Sequence, residues 1–240
     1  MQNSEMSRSD LVDLVPSRAT TLAAEVYRRL RADILACRLA PGSKLRINKL
    51  CDDYGVSLGA VREALSRLSA EGLALAEPQR GYRITPISLD DLRDLTAARI
   101  EIENLCLARS IQYGRIEWET ALVGNYHRLS RTPYREPSDE ERLSDAWVDA
   151  HALFHEALVS ACGNIWLKRV RSMLYEQSER YRRLSVPVSE STRNVRSEHR
   201  AIMEAALARQ TGTAQTLLRD HLMLTARILE RAFPASRDTS

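Results

Sequence analysis

Past a polar opening stretch, apolar residues recur at intervals of three and four. Leu22, Val26, Leu30, Ile34 and Leu35 form one stripe over residues 21–37, which predicts an amphipathic helix. Pro41-Gly42 ends it. Ile47, Leu50 and Cys51 mark the inward side of a short helix over about 47–54, broken by Gly55. Ser57 is a good N-cap for a third helix, whose buried stripe reads Val61, Ala64, Leu65 and Leu68. Gly72 then stands where a C-cap glycine belongs. Here the period changes to two. Leu73 and Leu75, then Tyr82 and Ile84, alternate on either side of Glu77-Pro78-Gln79-Arg80-Gly81, predicting a β-hairpin wing.

From Ser88 onward the pattern is helical, with segments near 89–112, 115–131, 140–162, 165–185, 190–209 and 213–232. Breaks fall at Gly114, from Thr132-Pro133 to Pro137, at Gly163, at Pro187 and at Gly212, and this half shows no strand pattern. The expected fold is mainly α: a flexible tail over 1–19, a winged helix-turn-helix over 20–86, and an all-helical antiparallel bundle over 87–235. A bundle of this size can hold its own core and an interior cavity.

Composition narrows the class. Charged residues make up 28 % of the 240 and hydrophobic ones 44 %, as in a globular protein. No apolar run approaches the roughly 20 residues of a membrane span, and MQNSEMSRSD lacks the apolar core of a secretory signal, so a cytoplasmic protein is expected. Cys37, Cys51, Cys106 and Cys162 are scattered, which predicts free thiols rather than a disulfide framework or a cysteine zinc site. The net charge of +3 lies wholly within residues 1–85, while residues 86–240 are balanced. A basic head on a neutral body suits DNA binding.

Helix, short helix, glycine turn, helix, hairpin is the order of a winged helix-turn-helix, whose recognition helix enters the major groove by its N-terminal residues. Those residues are Ser57, Leu58, Gly59, Ala60 and Arg62. Arg62 is the candidate for base readout, because a guanidinium grips O6 and N7 of guanine. The bland alternative is an ion pair with Glu63 or another nearby acid. Ser57 and the first N–H groups of the helix suit phosphate, and small Gly59 and Ala60 let the backbone come close. Arg46 and Lys49, with Arg80, Gly81 and Arg83 on the wing, are expected to hold phosphates and set register.

Four of the five histidines form a second constellation. His151 and His155, four apart, share one helix face, and His199 and His221 lie on the last two helices, where an antiparallel turn brings them to similar height. Imidazoles from facing helices suit a divalent ion, zinc above all and nickel as an alternative. Any one histidine is more often an ordinary core or surface residue. Asp149 and Glu198 flank the set but fall on other faces by helical spacing, so they are not expected as ligands.

The segment PGSKLRINKLCDDYGVSLGAVREALSRLSAEGLALAEPQRGYRI resembles the DNA-binding head of the GntR family, through Pro41-Gly42, Gly55-Val56-Ser57, Val61-Arg62-Glu63-Ala64-Leu65, Glu71-Gly72-Leu73 and Gly81. One departure stands out. Leu58, Gly59 and Ala60 replace the family's usual Arg-Thr-Pro, so one base-contacting arginine is missing and a different operator is implied. The helical half resembles the ligand-binding FCD domain of the FadR subfamily. The likeness runs through Arg99–Glu103, His151–His155 on to Cys162-Gly163-Asn164, and Glu198-His199 with His221. That resemblance implies a metal held by an Asp and three His, with His151 here at the position of the Asp. The site would then be four-histidine, or three-histidine with water or ligand in the place of His151, and the exchange removes a negative charge and favours softer ions. It also implies that Arg99 faces the cavity and clamps a carboxylate, with Asn164 adding a hydrogen bond; a surface ion pair of Arg99 with Glu103 is the competing reading. The SLGAVREALS wording and the His-x-x-x-His pair are similar to repressors of short-dicarboxylate catabolism.

These readings point to a homodimeric regulator, a repressor, reading a palindromic operator in double-stranded DNA under control of a small carboxylate effector. A regulator for which the metal is itself the signal is the alternative. No HExxH pattern, Ser-His-Asp set or phosphate loop is present, so an enzyme is not expected.

Overall fold

The computed structural model describes residues 18–188 and 194–232. The expected tail, apart from its last two residues, lies outside them, as do the first residues of the helix expected from 190 and the end of the second domain. The chain forms two compact units, one with residues up to Ile34 and Leu39–Pro86, the other with Leu35–Arg38 and residues from Ile87.

The first unit is built on helices α1 (Arg18–Leu35), α2 (Ile47–Tyr54) and α3 (Leu58–Ala70). Val26, Leu30 and Ile34 are buried as the stripe of α1 predicts, while in its first turn Ala23 is buried in place of the exposed Leu22, and Leu35 is half-buried. Gly55 ends α2 at φ 62°, a left-handed conformation glycine adopts without a Cβ penalty, and returns N–H bonds to the last turn. Val61, Ala64, Leu65 and Leu68 of α3 are buried as the periodicity predicts. Near the C-terminal end of α3, Glu71 accepts from Arg31 Nε at 2.8 Å and from the Tyr27 hydroxyl, tying α3 to α1.

The wing is strand β2 (Ala74–Glu77) paired antiparallel with β3 (Gly81–Ile84) in the register Ala74↔Ile84 to Glu77↔Gly81. A short strand β1 (Lys44–Leu45) adds to the other edge of β3, giving the order β1-β3-β2. Two residues leave no periodic signal, so β1 was not visible in the sequence.

The second unit comprises α4 (Leu89–Tyr113), α5 (Ile116–Arg131), α6 (Asp145–Val159), a 3₁₀ turn (Ser160–Cys162), α7 (Ile165–Ser185), α8 (Val195–Leu207) and α9 (Thr211–Ala232). Helix α4 packs on α7 and α9, α5 on α6 and α8, and α8 on α9. Leu107, Leu122, Phe154, Leu158, Ile202 and Leu218 are fully buried at its centre. Serines cap α4 and α6 (Ser88, Ser144), and Asn194 caps α8.

Two expectations are corrected here. Residues 135–143 form a hairpin, β4 (Arg135–Glu136) and β5 (Asp139–Leu143), not the start of a helix, so α6 begins only at its Ser144 cap. The charged run of β5 carries no alternation that would announce a strand. The turn between α8 and α9 is not at Gly212, which lies inside α9, but at Arg209, itself left-handed at φ 56°. Its guanidinium reaches back to the carbonyls of Ile111 and Gly114, the latter at 2.9 Å. Gly114 is required for a different reason: an added Cβ would lie 2.5 Å from the Trp118 ring.

Candidate functional site

In the first unit, α3 opens on a surface. The Ser57 side chain caps it, accepting from Ala60 N at 3.4 Å. Leu58, Gly59 and Arg62 are exposed, while Ala60 turns inward and is buried. Arg62 enters none of the ion pairs among the described residues, so the pairing with Glu63 considered above is not made. Arg46 and Arg80 are exposed, and Lys49 is exposed beside Asp53 at 3.2 Å. Gly81 holds φ 89° at the tip of the wing, where it pairs with Glu77 beside the turn. Arg83 departs from expectation. Its Nε donates to Glu77 at 2.9 Å and its Nη1 to the Gly42 carbonyl at 2.7 Å, so it braces the wing instead of presenting a free cation.

In the second unit, α6 carries His151 and His155, α8 carries His199 and α9 carries His221. All four are buried, and one ligand atom from each lies within 4.8 Å of the others. The Arg209 turn explains the meeting: His199 and His221 stand eleven residues on either side of Gln210. His151 Nε2 and His155 Nε2 are 3.1 Å apart. Donors at about 2.0–2.1 Å from a tetrahedral zinc stand roughly 3.3 Å from one another, so the set fits such an ion with small side-chain adjustments. The His155 Nδ1 atom is buried with no hydrogen-bond partner, a further sign of a polar cluster not satisfied by protein alone. His151 stacks on Trp147, with centroids 4.5 Å apart.

Burial holds the imidazoles of His151 and His155 well below the ordinary histidine range, helped by Arg182 in the first case and by His199 in the second. Neutral imidazoles are the form that binds a metal. His221 Nδ1 donates to Glu198 at 2.7 Å, which puts the ring's lone pair on Nε2, the atom that would face an ion. Glu198 is therefore an orienting partner, a role that helical spacing had hidden because only the rotamer brings it back to His221.

Beside the cluster lies a cavity of about 40 Å³ whose lining includes Arg99, Trp147, His151, Ser178, Arg182 and His221. Arg99 does pair with Glu103, at 3.3 Å, but in the interior and not on the surface. Its Nη1 donates to Ser178 at 2.7 Å, and it still lines the cavity. Glu103 also accepts from Arg171 at 3.0 Å, so one buried carboxylate serves two guanidinium groups. Arg182 was not singled out from sequence, where nothing distinguishes it from its neighbour Arg183. Asn164 is not at this site. It is exposed and caps α7, its oxygen accepting from Trp166 N and Leu167 N, both at 3.0 Å. Cys106 and Cys162 are buried free thiols, and burial pushes Cys106 up to about 12.

A three-helix head with a hairpin wing, followed by a helical unit enclosing clustered imidazoles and arginines, defines a winged helix-turn-helix transcriptional regulator with a ligand-binding domain. Residues 22–84 match the bacterial regulatory proteins of the gntR family, and residues 94–223 match the FCD domain. The chain belongs to the GntR family and is a DNA-binding transcriptional regulator, not an enzyme. It is 44 % identical to the HTH-type transcriptional regulator BphR of Paraburkholderia xenovorans, over 91 % of this chain and 89 % of that one. To the HTH-type transcriptional repressor GlaR of Escherichia coli it is 34 % identical, over 89 % and 98 %. A GntR transcriptional regulator from Rhodococcus sp. RHA1 has the same fold, with a TM-score of 0.70 at 20 % identity over 90 % of this chain and 100 % of that chain. No helix of the described residues is long and apolar enough to cross a membrane.

Proposed function

We propose that the chain is a cytoplasmic, homodimeric repressor whose grip on a palindromic operator is set by a small carboxylate bound beside a divalent ion. The observation that carries this reading is a cluster of four buried imidazoles beside a cavity that two of them, His151 and His221, line together with Arg99 and Arg182. His151, His155, His199 and His221 would hold the ion, zinc in the first instance, with an anionic oxygen entering as a further ligand or in place of one imidazole. Arg99 offers a planar fork to a carboxylate, and its burial strengthens that contact. The repressor sign follows that of the relative GlaR, an HTH-type transcriptional repressor. In the head, Ser57, Leu58, Gly59 and Arg62 would meet base edges and backbone, with Arg46, Lys49 and Arg80 on phosphates. Binding of the carboxylate shifts operator affinity only by its unequal affinity for the two states.

The test is a mobility-shift titration with the promoter fragment beside its own gene, run with and without chelator and with a panel of small carboxylates. Release from DNA by one carboxylate, lost on chelation, supports the reading. A shift driven by zinc alone would favour the metal as signal, and a fragment that never shifts would sink the proposal.

A further inference from the structure

The surroundings of His151 constrain its protons. A guanidinium offers N–H donors and no acceptor. Arg182 Nη1 lies 2.9 Å from His151 Nδ1, so that nitrogen accepts and the proton of the neutral ring sits on Nε2. His151 Nε2 faces His155 Nε2 at 3.1 Å and donates to it. The cluster thus presents an N–H, where a cation needs a lone pair, and the same bond occupies the Nε2 lone pair of His155. A second acceptor waits on the other side. The Tyr175 hydroxyl stands 3.0 Å from His151 Nδ1 and 3.4 Å from both terminal nitrogens of Arg182. Arg182 is buried, pairs with Glu179 and lines the cavity together with Arg99.

We propose that Arg182 is a gate that couples anion to metal: while its guanidinium rests on His151 Nδ1, His151 is not a ligand, and when a carboxylate in the cavity draws the guanidinium away, His151 becomes one. The proton of the ring then moves from Nε2 to Nδ1, where the Tyr175 oxygen accepts it, and no proton is gained or lost overall. The Nε2 lone pairs of His151 and His155 both become available. Two guanidinium groups on one cavity suit a dicarboxylate, one carboxylate for Arg99 and one for Arg182. Metal and dicarboxylate then favour each other's binding by the same factor. This inference rests on the metal-and-carboxylate reading above.

The experiment is a Co²⁺ titration of the full chain stripped by chelator, followed by competition with a chromophoric chelator and by the visible absorption of the bound ion. Arg182→Met removes the donor and the charge, and Glu179 keeps Arg183 Nε at 3.2 Å, so no bare carboxylate is left. The gate predicts at least tenfold tighter Co²⁺ binding by Arg182→Met with no anion present. Arg182→Lys, which keeps a cation and a donor, should bind like the wild type. Adding His151→Ala should cancel the gain in the Met background and change the wild type less than threefold, a coupling read by the double-mutant cycle. In the wild type, one of the linear dicarboxylates of four to six carbons should tighten Co²⁺ binding, and none should do so in Arg182→Met. Weaker binding by Met and Lys alike means a structural role and overturns the gate, as does an equal loss from His151→Ala in both backgrounds or no dicarboxylate effect in the wild type. If no variant binds Co²⁺ the metal reading itself fails and the gate falls with it; if the wild type binds and Arg182→Met binds no tighter, the gate alone fails.

Discussion

His221 Nδ1 lies 2.7 Å from a carboxylate oxygen of Glu198, one residue before another histidine of the cluster. The carboxylate fixes the tautomer of His221 and raises its basicity toward an ion. Glu198→Ala should therefore weaken zinc binding by about 10–100-fold while the melting temperature without metal changes little, since Glu198 is partly exposed. Isothermal titration with zinc checks this, and an unchanged affinity would remove Glu198 from the site.

Arg62 is exposed on the first turns of α3 with no ion pair to lose. Arg62→Ala should cost about 1–3 kcal/mol of operator binding, and the discrimination against unrelated DNA should shrink with it. Arg80→Ala should instead weaken all duplexes alike and flatten the salt dependence. Fluorescence anisotropy at several salt concentrations separates the two outcomes.

The depressed titration of His151 and His155 makes stability depend on pH. Unfolded histidines take up protons near pH 6.5, whereas the buried rings resist them until well below. The unfolded chain thus binds more protons as pH falls, so this stabilisation is complete above about 6.5 and is lost progressively on acidification. Thermal melts of chelator-treated protein should be flat from pH 8 to 7 and fall steadily below about 6.5. His155→Phe should blunt that fall, and an unaltered pH profile in that variant would count against the assignment.

Glu103 is buried between Arg99, at 3.3 Å, and Arg171, at 3.0 Å. Glu103→Gln leaves the buried Arg99 without its countercharge and Arg171 with only Glu156, at 2.7 Å, and should destabilise the helical unit by about 3 kcal/mol. Chemical denaturation followed by circular dichroism measures it.

Much of this architecture was legible because periodic burial leaves a strong trace. The core stripe of α3 and the span of α7 follow directly from spacing, and the histidine set was visible because four imidazoles on inward faces are rare in any chain. What escaped were features set by tertiary contact. The strands β1 and β5 are too short or too charged to carry alternation. The α8–α9 turn falls at a left-handed arginine held by distant carbonyls, which glycine-based reading assigns to Gly212. Arg182 became visible only through its approach to His151, and Asn164 proved to be a helix cap because its side chain had a nearer partner in the backbone.

The two turns have a mechanical consequence. Asn164 and Gly163 close α6 onto α7 as one hairpin, which carries His151, His155, Tyr175 and Arg182 together. Arg209 closes α8 onto α9 as another, which carries His199 and His221. A cation bound between them would be a rivet through two levers. With the rivet in place the levers should unfold as a single cooperative block; drawn out, they are free to part at separate temperatures.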